Sequence, residues 1–107
     1  METLEYAAFS LWKTDAPLSY KRRLVTALYA FIAEERNQTN VKLLYRLNRL
    51  NSNVGQADFN DAVASLRSFG VIGTCPVKGD EEKYHVNVKT RKAQLWKRYV
   101  EYVAANT

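Results

Sequence analysis

Two side chains are the natural candidates for nucleophilic or metal chemistry, and neither has the neighbours it would need. His85 is the only histidine and Cys75 the only cysteine. His85 stands in an alternating segment with no Ser or Cys placed beside it as a nucleophile, so it reads as a surface or edge residue. Cys75 precedes Pro76 and reads as a small apolar packing residue. The two could face each other across a hairpin, but two ligands do not make a zinc site. A lone cysteine also excludes an internal disulfide. No Gly-rich loop is present to cradle a phosphate. The expectation is a non-enzymatic chain with no cofactor and no metal. A redox-sensing thiol at Cys75 is the weakest reading.

Non-covalent chemistry is better represented. Sixteen Lys and Arg stand against eleven Asp and Glu, for a net charge of +5 and a pI near 9.4. A small basic chain is a candidate for a polyanionic partner. The cations are also patterned. At about 100° per residue, Lys42, Arg46 and Arg49 share a helical stripe about 60° wide. Lys21, Arg22 and Arg23 cluster at the start of a long helix. There they oppose the helix dipole at a cost of a few tenths to about 1 kcal/mol, which a partner anion would offset. Asp58 and Asp61 in a later helix, and Asp80, Glu81 and Glu82 in a turn, work against a polyanion.

The elements that must position these groups follow from apolar spacing. The chain has 107 residues, 47% of them hydrophobic, which fits one domain. The uncharged run Tyr6 to Trp12 is too short to span a bilayer, and no cleavable signal pattern surrounds it. A soluble protein, cytoplasmic or nucleoid-associated, is expected. Leu4, Ala7, Ala8, Leu11 and Trp12 predict a helix over Thr3 to Lys13. Leu24, Val25, Leu28, Phe31 and Ile32 predict one over Ser19 to Arg36. After a polar break at 37–40, where Thr39 or Asn40 can cap, a helix is expected over Val41 to Leu50, with Val41, Leu44 and Leu47 inward. The next spans Gln56 to Phe69. Phe59, Ala62, Val63, Leu66 and Phe69 face in; Asn60, Asp61, Ala64, Arg67 and Ser68 face out. Gly70 stops it. Alternation then predicts strands over Val71 to Val77 and Lys83 to Lys89. Thr90 caps a last helix to Ala105, striped by Ala93, Trp96, Tyr99, Val100 and Val103. Leu95 and Tyr102 form a second apolar line. This is more apolar surface than one small core needs, so Leu4, Trp12, Leu95, Trp96, Tyr99 and Tyr102 are expected to form a homodimer interface.

The run Phe59-x3-Val63-x2-Leu66-x3-Gly70-Val71-Ile72, in this order of elements, resembles the winged helix-turn-helix superfamily. The resemblance covers roughly Ser19 to Lys89, extended by the last helix. Size and flanking helices are similar to small dimeric regulators of the ArsR, MarR and PadR kinds and to plasmid or phage DNA-binding adaptors. It implies an α+β, mostly helical fold with a three-helix core, a β-hairpin wing and flanking N- and C-terminal helices. Residues 1–17 would be an arm, 18–89 the core and 90–107 the last helix. It further implies that helix 56–69 enters the major groove of double-stranded DNA. Gln56, Asn60, Ala64 and Arg67 would then read bases. Lys42, Arg46, Arg49, Ser68, Lys78 and the Lys21, Arg22, Arg23 cluster would hold phosphates. The implied function is duplex binding by a homodimer, in transcription regulation or plasmid or viral DNA maintenance. On that basis Arg46→Ala weakens binding to every duplex, and Asp61→Ala tightens non-specific binding unless that carboxylate reads a cytosine amino group. The acids keep a second class open, a winged helix that binds protein within a larger assembly.

Overall fold

The computed structural model describes residues 2–50, 54–76, 82–87 and 90–105. It is α+β, with the order α1 (Glu2–Phe9), α2 (Leu18–Glu34), β1 (Gln38–Thr39), α3 (Asn40–Leu50), α4 (Gln56–Ser68), β2 (Ile72–Pro76), β3 (Glu82–Val86) and α5 (Arg91–Ala105). Helix α2 is the hub, in contact with α3, α4, α5 and β3. It buries Leu24, Val25, Leu28 and Ile32, the stripe its spacing predicts. Helix α4 answers with Phe59, Ala62, Val63 and Leu66. Each such large side chain contributes about 1.5–3 kcal/mol on full burial, so this pair of stripes supplies much of the cohesion.

Local chemistry ends the helices. Gly70 adopts φ +66°, where a side chain would be strained. Its N–H donates to the Arg67 carbonyl at 2.9 Å, and the Val71 N–H donates to the Leu66 carbonyl at 3.2 Å. This double closure is the Schellman motif. Thr39 Oγ1 accepts from the Lys42 N–H at 3.3 Å, and Thr90 Oγ1 from the Ala93 N–H at 3.0 Å. Both therefore cap as expected. The α2 C-terminus is closed by a side chain a few residues beyond it. The buried Gln38 amide donates to the Phe31 carbonyl and, at 2.8 Å, to the Glu35 carbonyl.

The sheet has the order β1-β3-β2 and is antiparallel throughout. The hairpin register places Gly73 opposite His85 and Cys75 opposite Lys83. Strand β1 sits inside the expected polar break and pairs Gln38 with Tyr84 and Thr39 with Lys83. Two residues carry no readable alternation, so this strand is a correction to the sequence reading. Helix α1 also ends at Phe9 rather than Lys13. No helix among the described residues is long and apolar enough to cross a membrane.

Helices α1 and α5 close the core, and this overturns the argument for a dimer interface. Leu4 and Trp12 are 8% and 9% exposed, and Trp96 and Tyr99 are wholly buried. Trp96 packs against the rings of both Phe69 and Tyr99. One core does cover these four side chains; of the six expected at an interface, only Leu95 and Tyr102 stay exposed. Polar groups align the two helices. Glu5, buried on α1, takes both arms of the Arg22 guanidinium and accepts from the Tyr99 hydroxyl at 2.8 Å. The Arg22 hydrogen bond holds the Glu5 carboxyl below its ordinary value of 4.5 against the opposing effect of burial, with help from Tyr99. Burial and the bond to Glu5 push the Tyr99 phenol up. Glu5 therefore stabilises the fold fully above pH 4.5, and this contribution fades as the pH falls through the lower folded value. Glu5→Gln is expected to cost roughly 1–3 kcal/mol at pH 7, as loss of a charge-assisted pair does. The gap between variant and parent should narrow below pH 4.5, read by urea melts at stepped pH.

Candidate nucleic-acid interface

Helix α4 is covered over more of its circumference than its apolar stripe alone would be. Its second inward line is polar. Ser65, wholly buried, accepts from Trp12 Nε1 at 2.8 Å and donates to the Ala8 carbonyl at 2.7 Å. One turn earlier, Asp61 Oδ2 accepts from the backbone N–H groups of Lys13 and Thr14, both at 3.2 Å, and from Thr14 Oγ1 at 3.0 Å. Asp61 is 6% exposed, which corrects its expected place on the outer face. Asp58 Oδ2 accepts from the Tyr20 hydroxyl at 3.1 Å; burial and this bond raise the Tyr20 phenol. Both carboxylates of α4 thus belong to its packing with α1, α2 and the segment between them.

What remains outside is a strip without acids. Gln56, Asn60, Ala64 and Arg67 are all exposed and fall within about 80° of one another at helical pitch. Gln56 Nε2 donates to Asn60 Oδ1 at 2.9 Å, which aligns the two amides along the helix. A concavity of about 240 Å³ runs beside the strip, lined by Asn40, Phe59, Asn60, Val63, Ala64, Arg67 and Tyr84. The structure therefore brings together all four residues expected to read bases. Ser68 turns back on its own helix and donates to the Ser65 carbonyl at 2.9 Å.

The expected phosphate cations fare differently. Lys42 Nζ pairs with Glu35 at 2.9 Å, and this contact holds the Glu35 carboxyl below its ordinary range. Arg46 donates to Gln38 Oε1 and to Glu34 Oε2, each at 2.8 Å, with its guanidinium 4.3 Å from the Phe31 ring centroid. It is part of the α2–α3 joint rather than a free surface charge, so Arg46→Ala acts first on the fold. Arg22 is taken by Glu5. Lys21 lies 5.6 Å over the Trp12 ring. Arg49 remains exposed, 6.0 Å over the Tyr45 ring, and Arg23 is exposed. Lys78, Asp80 and Glu81 lie outside the described residues.

Three further features escaped the sequence reading. Val41, expected to face inward with Leu44 and Leu47, is instead 76% exposed, and Tyr45 is 63% exposed; α3 is turned so that Leu43 and Leu47 are its buried residues and Leu44 is half-buried. Glu34 and Glu35 pair with Arg46 and Lys42 of the basic stripe, contacts between helices that spacing within one helix cannot reveal. Helix α5 carries Arg91, Lys92, Lys97 and Arg98, all exposed. The possible Cys75–His85 facing pair is also corrected. His85 lies across from Gly73, where an added Cβ would stand 2.7 Å from its ring, and Cys75 is opposite Lys83. The Cys75 side chain is outside the described residues.

No protein-family model matches the chain, and no curated protein and no solved structure matches it. Asp61 provides a sharp check on the geometry. Asp61→Ala leaves the Lys13 and Thr14 donors without their acceptor and should destabilise the fold by about 1–3 kcal/mol. Denaturant unfolding measures it. Stability equal to the parent would place Asp61 back on the outer face.

Proposed function

We propose that this chain is a winged helix-turn-helix protein that binds double-stranded DNA. Helices α3 and α4 would form the helix pair, β2–β3 the wing, and the strip Gln56, Asn60, Ala64, Arg67 would enter the major groove. One observation carries the reading: both carboxylates of α4 are engaged on its inner side, so the helix's own outer strip is polar, small in the middle and carries no acid. Paired amide donors and acceptors suit adenine edges, and a guanidinium suits guanine. The element order, the three-stranded sheet and the absence of transmembrane helices among the described residues are compatible with this. Transcription regulation and plasmid or viral DNA maintenance are the roles such a protein would serve.

A second reading, a protein-binding module, is favoured by the exposed Val41 and Tyr45. They border a groove of about 270 Å³ with Asn40, Leu44, Asn48 and Gln56.

Selection of a preferred duplex from a random pool, followed by titration, tests the first reading. Asn60→Ala should cost about 1–3 kcal/mol on the preferred site and little on random DNA. Glu34→Gln with Glu35→Gln releases Lys42 and leaves Arg46 without its carboxylate. This double variant should tighten binding to both duplexes and steepen the salt dependence. If no duplex is enriched and Val41→Asp alone abolishes capture of a protein partner, the second reading replaces the first.

A further inference from the structure

Part of the charge excess lies away from the cations expected to hold phosphates. Lys42, Arg46 and Arg22 each face a carboxylate. On α5, four cations fall within eight residues, Arg91, Lys92, Lys97 and Arg98, and none has an ion pair among the described residues. The helix has no acid in its first turn, so Arg91 and Lys92 stand against the positive end of the helix dipole with no carboxylate of that turn beside them. That arrangement is disfavoured unless an anion sits nearby. Arg91, Leu95 and Arg98 share one face at helical pitch. With Lys92 and Gln94 they line a surface hollow of about 460 Å³. The opposite side of the helix is fixed in the core through Ala93, Trp96 and Tyr99, so the cationic face is held on a rigid support. Trp96 is seated against Phe69 at the end of α4, which joins this half of α5 to the candidate reading helix.

We propose that this face of α5 is a second DNA contact, which grips the phosphodiester backbone through Arg91, Lys92 and Arg98. The inference rests on the duplex-binding reading above and names where its electrostatic affinity resides. Arg91 and Arg98 are seven residues apart, about 10.5 Å along the helix axis, so each guanidinium reaches a separate phosphate. Such contacts carry no sequence information. Helix α5 supplies affinity and α4 supplies choice of site. Among the described residues Leu95 is the one large apolar side chain that lines the hollow, and a lining of three cations around one leucine is unlike the apolar centre of a protein interface.

The test uses the full chain with its preferred duplex and a random duplex across a range of salt. Arg91→Gln with Arg98→Gln should lower the magnitude of the log–log salt slope by about 1.8, and weaken both duplexes about 60-fold at 0.1 M salt. Lys13→Gln with Arg36→Gln removes the same charge from exposed sites elsewhere and should leave the slope in place. Equal effects of the two double variants would overturn the proposal in favour of a diffuse net-charge effect. So would a slope unaltered by the α5 variant while Asn60→Ala still lowers the preference for the selected site; in that case duplex binding stands and the α5 assignment falls. A parent chain with no duplex affinity at any salt overturns both. Polyglutamate that binds the parent more tightly than the random duplex, and loses this with the α5 variant, assigns the face to an acidic protein instead. All four substituted side chains are exposed, and equal thermal midpoints verify that the fold is kept.

Discussion

The set of hydrogen bonds that Asp61 and Ser65 make to the segment from Ala8 to Thr14 determines how α4 is rotated, and much else follows from that rotation. Five donors and acceptors from α1 and the segment after it converge on two side chains one turn apart. Buried polar groups of this kind tolerate few alternative arrangements, because any slip leaves donors unpaired in a dry setting. The constraint therefore does more than add stability. It sorts the surface of α4, drawing anionic groups in and leaving amides, a methyl group and a guanidinium outside. It also brings α1 across the end of the core, where Glu5 meets Arg22 and Tyr99.

Electrostatics in this molecule is a matter of location more than of total. The +5 net charge is not spread evenly. The C-terminal end of α2 brings Glu34 and Glu35 onto α3, so the most regular basic stripe in the sequence is largely neutralised by its neighbour. Arg46 shows how far this goes: aromatic contact, a buried amide and a carboxylate together make it a packing residue. Exposed pairs such as Lys42–Glu35 add little to stability. They still lower the field that an approaching polyanion would meet.

The helices were legible in the sequence wherever a single face is apolar. Leu24, Val25, Leu28 and Ile32 mark α2, and Phe59, Ala62, Val63 and Leu66 mark α4. The caps at Thr39 and Thr90 and the stop at Gly70 were legible too, because each acts on its own helix end. The four-residue strip on α4 followed from the same periodicity. What could not be read depends on partners far along the chain. Asp61 has the polarity of a surface residue and the position of a shoulder residue. Its burial requires Lys13 and Thr14, almost fifty residues earlier. Strand β1 is two residues that need β3 to become a strand. Leu4, Trp12, Trp96 and Tyr99 appeared surplus because the capacity of one core cannot be judged until the terminal helices are seen wrapped around it.

The short segment Asn37 to Thr39 joins three structures at once. The Asn37 N–H donates to the Tyr84 carbonyl at 3.0 Å, the Gln38 side chain closes the end of α2, and the Thr39 hydroxyl starts α3. Motion of the hairpin cannot be separated from fraying of the helix ends on either side. In hydrogen-exchange terms, the amides of Asn37 and Lys42 should lose protection in one cooperative opening, not independently. A contact that steadies β3 is thus felt at the first turn of α3 without any chain of moving side chains between them.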